Sequence, residues 1–575
     1  MKYLITSALP YPNGPLHLGH VAGVFLPADI TYRWRKAMGD EVISICGTDD
    51  HGVALEIASK KQWITTSELV QRYRVEYQKW LQKLWCNFTM FHGTDTPQHT
   101  EIVHTFFWNL YHKGLIEERT LHQMYCHVCE MFLADRYIVG ICNKCGSDWA
   151  YGDQCEQCGS MIDPTQLIQP QCKTCSSKNL EVKATQHLYL LLDKGSEALQ
   201  TRLEEKAART TNTWKDNVLS TSLNKWMKEG LEARCITRDI ACGVSVPLPG
   251  YENKVFYVWF DAPLGYISIT KYRSDTQISP SISYLDYRAD PDTRLIQFLG
   301  KDNIVFHSIF WPMMLMQWWQ ASDSRPYILP DNIPANDFLN LEGKKFSTSR
   351  KYALWLDEML EQFPADMIRM YLITILPETS DSDWKWKEFQ DRCNNLADTL
   401  GNLRNRVITL MIKYNDGQFE VVDVSGPEDV IYRHFLENIV TTRDEIIWHL
   451  EAYRLRAGWE SLMTLIRSGN QLIDQIQPRI IGKTDPLVAK RCLDVLGMYL
   501  SSIGYLLSPR LPHTSQIMLS LLHGADYAEL RYHTIGQWCL PPFVKITEKP
   551  ALLFIKITDT QVEEQLAKLE ADRTS

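Results

Sequence analysis

PYPNGPLHLGH, at residues 10–20, holds two histidines three positions apart with a glycine between them. At the opening of a helix, His17 and His20 would share one face. There they stand beside unpaired amide donors and the positive end of the helix dipole, where phosphate oxygens bind. Gly19 removes a side chain where a nucleotide ring must approach, so the group could hold ATP bent for attack on its α-phosphate. Taken alone, the string is equally consistent with capping or core histidines. More than 300 residues later, EGKKFSTSR at 342–350 offers mobile cations and hydroxyls on a short loop. In-line displacement of pyrophosphate builds negative charge on the leaving group, which a closing loop bearing Lys345, Ser347 and Thr348 can stabilise. A solvated polar loop is the plain alternative for this segment by itself.

Metal chemistry is signalled separately. Eight of the 15 cysteines fall in four CxxC pairs, Cys126/Cys129, Cys142/Cys145, Cys155/Cys158 and Cys172/Cys175. Clustering of this kind in a long chain suggests metal, not disulfides, and eight thiolates suffice for two tetrahedral zinc sites. A nested arrangement is expected, with the inner pairs forming one site and the outer pairs the other, for one or two zinc ions. Spacing alone leaves other pairings, and partial occupancy of the outer site, open. Eight thiolates with no open position make the zinc structural, not catalytic.

The elements that must position these groups are those of an α/β domain. Residues 2–8 and 41–46 read as short buried strands flanking a helix from Leu18 to Met38 that stops before Gly39, a βαβ unit. From 120 to 182 the apolar periodicity gives way to Cys, Gly, Asp and Lys, as in an insertion organised by metal. The strand pattern resumes at Lys254–Phe260 and Leu295–Leu299, so a parallel sheet interrupted by an insertion accounts for both. From Asp383 to the 540s the pattern is helical. Phe389, Cys393, Leu396, Leu400, Leu403, Val407 and Leu410 form a core stripe, which implies a separate helix bundle. Gln561–Ser575 is polar and is expected to fray from a terminal helix into a tail.

Composition bounds the rest. With 575 residues the chain needs two to four domains, and 45% hydrophobic with 22% charged residues is ordinary for a globular protein. A net charge of −9 argues against whole-surface attraction to nucleic acid but not against local basic faces. The opening MKYLITSALP reads as a strand, not a signal peptide. The apolar stretch at 306–319 is broken by His307, Ser308 and Pro312, far short of a membrane span. No membrane partner and a cytoplasmic location are expected.

HLGH and KFSTS, in this order and at this distance, resemble the two signature motifs of class I aminoacyl-tRNA synthetases. Five further features resemble the methionyl-tRNA synthetase family in particular: TSALPYPNG at 6–14, GTDDHG at 47–52, the four CxxC knuckles, VWFDAPLGY at 258–266 and GKDNIVFHS at 300–308. One departure is plain, since Thr348 stands where the signature has its second lysine. The resemblance implies a Rossmann-like catalytic domain at 1–115 and 246–332, with a zinc-knuckle connective insertion at 116–245. A KMSKS-type loop and stem-contact region at 333–385, an α-helical anticodon-binding domain at 386–545 and a tail at 546–575 complete the expected order.

By the same resemblance, Leu9, Tyr11, Asp49, Trp259, Ala262, Pro263, Tyr266, Asn303 and His307 would line a methionine site. Asp49 can pair with the ammonium group, and the aromatic surfaces suit a polarisable thioether. The implied reaction is attack of L-methionine on ATP, accompanied by Mg²⁺, to give methionyl-adenylate, followed by transfer to tRNA(Met). His17, His20 and Lys345 would stabilise charge, without a covalent enzyme intermediate. Asn402 and Arg406, one helical turn apart, are anticodon candidates. So is Arg479, which follows Pro478 where the family has a Pro-Trp pair. No further dimerising module follows, and a monomer is expected. Two rivals are a cysteine-activating class I enzyme, which should lack VWFDAPLGY, and a zinc-ribbon tRNA-binding protein that has lost activation.

Overall fold

A computed structural model describes residues 1–133, 137–152, 155, 157–158, 160, 162–210, 212–276, 283–318, 326–346, 352–426, 429–537 and 540–574; for residues 479, 482 and 572–574 the description is confined to the backbone. Five strands, β1 (Lys2–Ser7), β2 (Glu41–Thr48), β3 (Met90–Gly93), β4 (Thr293–Gly300) and β5 (Ala335–Asn336), form one sheet in the order β5-β4-β1-β2-β3. All neighbours are parallel. This is the doubly wound order in which the chain reverses direction across the sheet between β1 and β4, and a crevice opens beyond the carboxyl ends of those two strands. Helices cover both faces, so β1 is buried along nearly its whole length, Thr6 and Ser7 included.

After β1 the helix α1 runs through Leu18–His20, a π-helical turn at Val21–Phe25 and Leu26–Met38, ending as expected before Gly39. A second helix, α2 (Val53–Gln62), follows β2 directly. Between β3 and β4 the insertion leaves the sheet as a long antiparallel ribbon, Ile116–Cys126 paired with Leu180–Leu190. The cysteine knuckles lie at its far end, around a small sheet of Ile138–Ile141 with Ala150–Tyr151 and Ile168–Cys172.

One expected strand is corrected here. Of Lys254–Phe260, only Val255–Phe256 is a strand, and it pairs antiparallel with Thr237–Arg238 outside the parallel sheet. Val258–Asp261 is instead a helical turn that runs on into Ala262–Leu264 and the helix Gly265–Thr276. A short apolar run has no periodicity that separates the two conformations.

Beyond β5, Leu339–Leu341 pairs antiparallel with Lys344–Lys345 and parallel with Ser382–Trp384. Helices Trp386–Leu396, Asn402–Tyr414, Val430–Glu451, Leu455–Ile476 and Pro486–Leu507 then pack as a bundle. Of the expected stripe, all but the half-buried Leu410 are buried, in one continuous core with Leu18, Ile30 and Trp34 of α1. The bundle and α1 are therefore packed together without a gap. The last helix, Asp559–Thr574, is docked and does not fray from its start: Val562 and Leu569 are buried, and Lys568 pairs with Glu358 at 2.6 Å. No helix among the described residues is long and apolar enough to cross a membrane.

Candidate active site

A cavity of about 570 Å³ opens at the crevice between the ends of β1 and β4. Ala8 to Tyr11 line it from the end of β1, and Gly300, Asp302 and Asn303 from the end of β4. His17, Gly19 and His20 line the same cavity, as does Lys345 from the distant loop. So do all nine residues expected of the amino-acid pocket: Leu9, Tyr11, Asp49, Trp259, Ala262, Pro263, Tyr266, Asn303 and His307. Ser347 and Thr348 lie outside the described residues.

The start of α1 fixes the chemistry of its histidines. His17 caps the helix: its Nδ1 accepts from the Gly19 amide at 3.1 Å, while the His17 amide donates to Nδ1 of His20 at 3.2 Å. Each ring thus uses Nδ1 as an acceptor, which leaves Nε2–H as its donor. The rings stack with centroids 3.8 Å apart. Burial, and then the neighbouring His20, hold His17 well below the usual histidine range, and burial pushes His20 down to about 4. Both are therefore neutral donors at physiological pH. A Cβ on Gly19 would lie 2.8 Å from Nδ1 of His17, so this glycine is needed for the cap itself as well as for open space.

Two backbone hydrogen bonds tie the distant motifs together, Leu18 N–H to Leu354 O at 3.0 Å and Leu356 N–H to Leu16 O at 2.8 Å. Phe346 lies flat on His17, with centroids 5.0 Å apart and planes 2° apart. Lys345 is exposed at the cavity edge.

The other end of the cavity is acidic and aromatic. Asp49 follows β2 and is held by its amide to Pro10 O at 3.0 Å. Burial, and then the charge of Asp261, push its carboxyl well above the usual range, with His51 opposing. His51 donates from Nδ1 to Asp261 at 3.0 Å; burial disfavours its charge, but the surrounding carboxylates outweigh that and raise it to about 9. Trp259 stacks face to face on Phe306. His307 donates from Nδ1 to Asn303 O at 2.9 Å, so Nε2 is the acceptor for the Tyr266 hydroxyl at 2.7 Å. Burial pushes His307 down to about 4, which keeps this polarity fixed.

Sequence reasoning missed several contributors. Asp302, Asp337, Phe338 and Phe346 line the cavity, and His51, Asp261 and Phe306 support it from behind. All but Asp337 and Phe338 sit within the motifs already singled out, so the signal was present but their partners were not.

The eight cysteines come together as two groups of four, Cys126, Cys129, Cys172 and Cys175 in one and Cys142, Cys145, Cys155 and Cys158 in the other. This is the nested arrangement. Neighbouring sulfurs lie 3.6 and 3.8 Å apart in the first group, 4.0 and 3.7 Å in the second. A tetrahedral ion with metal–sulfur bonds near 2.3 Å would set its ligands about 3.8 Å apart, so both groups fit such an ion. In the bundle, Asn402 is exposed, while Arg406 is ion-paired with Asp474. Arg479 lies in the helix Pro478–Thr484, which touches Asn402–Tyr414; its side chain is outside the described set.

A family model described as tRNA synthetases class I (M) matches residues 3–408. A Methionine--tRNA ligase of Bacteroides fragilis is 40% identical over 570 residues, covering 98% of this chain and 80% of that protein. A Methionine--tRNA ligase of Cytophaga hutchinsonii is 39% identical over 579 residues, covering 99% and 81%. The structure of Mycobacterium tuberculosis methionyl-tRNA synthetase in complex with methionyl-adenylate superposes with a TM-score of 0.75 at 20% identity, over 96% of this chain and all of that one.

Proposed function

The chain belongs to the methionyl branch of the class I tRNA synthetases, and on that premise we propose that the cavity between β1 and β4 is where it joins L-methionine to AMP. The activity is that of a methionine–tRNA ligase. The methionine carboxylate attacks the α-phosphate of ATP, methionyl-adenylate forms and pyrophosphate leaves. The terminal adenosine hydroxyl of tRNA(Met) then takes the methionyl group and AMP is released. One observation carries this reading: a single cavity is lined both by His17, Gly19, His20 and Lys345 and by all nine residues of the expected amino-acid pocket.

Each residue's part follows from its chemistry. Asp49 receives the ammonium group, and Trp259, Ala262, Pro263 and Leu9 enclose the thioether chain, whose sulfur meets the polar edge formed by Tyr11, Tyr266 and His307. Because Asn303 O and His307 fix the Tyr266 hydroxyl, that edge is preorganised before methionine arrives. His17 and His20, neutral donors at the start of α1, hold the phosphates, and their Nε2–H groups meet charge as it develops on the α-phosphate. Lys345 meets the charge of the leaving pyrophosphate, and Ser347 and Thr348 of the same motif are assigned to ATP. Catalysis is thus positioning and electrostatics, with no covalent enzyme intermediate. Mg²⁺ bound to ATP would neutralise part of its phosphate charge.

Each four-cysteine group would hold one Zn²⁺ as a closed structural site that stiffens the insertion. Asn402, Arg406 and Arg479 on the bundle are assigned to the anticodon, and the enzyme works in the cytoplasm. Incubating the protein with ATP, Mg²⁺, methionine and tRNA(Met) should yield methionyl-tRNA, AMP and pyrophosphate in equal amounts. Failure to charge methionine tRNA while another tRNA is charged would overturn this reading.

A further inference from the structure

We propose that Glu56 and Tyr137 are positioning residues for the amino-acid end of the cavity, forming a strut through which the outer cysteine group holds the loop that carries Asp49. The inference rests on the reading of that cavity as a methionine site. Neither residue lines the cavity, so whatever they do for the reaction they do through others.

Glu56 is buried on α2, directly after the Asp49–Gly52 loop. Its Oε1 accepts from the amides of Ala241 at 2.9 Å and Cys242 at 2.6 Å, and its Oε2 accepts from the Tyr137 hydroxyl. Three donors from the two arms of the insertion thus meet on one carboxylate. Charge-assisted bonds of this kind are the strong ones, and losing one inside a protein leaves a polar group stranded.

From Glu56 the chain of contacts runs to the cavity. Cys242 O accepts from the Gly52 amide at 3.1 Å, and its thiol donates to Asp50 O at 3.6 Å. Gly52 has φ +112°, a conformation that only glycine adopts without strain, so the loop depends on this anchor for its shape. In the other direction, Tyr137 O accepts from the Lys173 amide at 2.8 Å, inside the Cys172–Cys175 knuckle, and Ile138 pairs with Cys172 in the small sheet. The Tyr137 ring is fully buried with Val53 of α2, Cys126 and Cys172. Burial, and then the Glu56 carboxylate, raise the Tyr137 phenol, so it remains protonated and donating. The path from Cys172 to Asp49 is therefore continuous, through named bonds, and crosses one hydroxyl.

Tyr137→Phe deletes that hydroxyl alone. In the zinc-loaded protein, the zinc content should stay at the wild-type value. The Kd for methionine, measured by calorimetry without ATP, should rise about fivefold or more, the lower range of coupling between sites. The KM for methionine in pyrophosphate exchange should rise with it, while the KM for ATP and kcat stay near wild type. Cys175→Ser, which opens the outer group, should weaken methionine binding in the wild-type background but add little in Tyr137→Phe, because the same strut is already cut. An unchanged methionine Kd in Tyr137→Phe at full zinc content would overturn the proposal, as would effects of the two substitutions that simply multiply. A wild-type protein without methionine-dependent exchange would instead refute the function on which the proposal rests.

Discussion

Asp49→Asn removes one charge from the amino-acid end of the cavity and leaves its shape almost unchanged. Asp49 is 5% exposed, and its buried Oδ1 has no hydrogen-bond partner among the described residues. Asp261 and Asp50 repel its charge, while His51 attracts it. Truncating one partner of a buried charge pair costs about 2–5 kcal/mol. Because Asn keeps an acceptor for the ammonium group, the lower part of that range applies, about 2–4 kcal/mol, a loss of about 30- to 900-fold in methionine affinity. The sign of the pH dependence follows from the raised carboxyl. Only its ionised form pairs with ammonium, so in the wild type methionine binding tightens as pH rises through the Asp49 range, and in Asp49→Asn this dependence disappears. Stability moves the other way. A carboxyl whose folded pKa lies above its unfolded value contributes stability below the unfolded value and loses it as pH rises through the folded one. The ligand-free Asn variant should therefore melt at or above the wild-type temperature at pH 8 while binding methionine poorly. Calorimetric titration of methionine from pH 5.5 to 8.5, with thermal melts of the free protein, tests both arms. An affinity within about threefold of wild type would refute the role of Asp49.

His17→Ala and His20→Ala should each lower kcat for pyrophosphate exchange about 100- to 1000-fold with the fold intact by circular dichroism, as expected for the loss of a donor to transition-state charge; near-normal exchange would remove them from the site. Lys345→Ala should be nearly inactive in single-turnover adenylate formation, and an equal or larger loss in Lys344→Ala or Lys351→Ala would show that another lysine faces the pyrophosphate. Arg406→Ala and Arg479→Ala should lower charging of methionine tRNA while leaving tRNA-independent exchange normal; unchanged charging in both would place anticodon reading elsewhere on the bundle.

Much of this site was legible in the sequence because its parts are local. The helix start after PYPNGPLHLGH, with His17 as its cap, follows from residues within a few positions of one another. The nested cysteine groups follow from four close pairs, although only the folded insertion decides which pairs meet. Long-range choices were not legible. The contact of Phe346 with His17 and that of His51 with Asp261 join segments hundreds of residues apart, and nothing near either residue announces its partner. Within Lys254–Phe260 the strand holds at Val255–Phe256 but gives way to a helical turn at Val258, because an unbroken apolar run suits a buried strand and a buried helical turn equally. The polar composition of Gln561–Ser575 concealed its docking, since among the described residues only Val562 and Leu569 are buried there.

If the cavity between β1 and β4 is the methionine site, it should activate methionine and no other amino acid well. Pyrophosphate exchange measured with each of the twenty amino acids, at saturating ATP and Mg²⁺ and without tRNA, tests it most directly. Methionine should give a kcat/KM at least about 100-fold above every other amino acid, since a pocket that must be both filled and polar at one end discriminates by several kcal/mol. Exchange driven best by cysteine or another amino acid, or no exchange with any of the twenty, would show that the cavity is not a methionine-activating site.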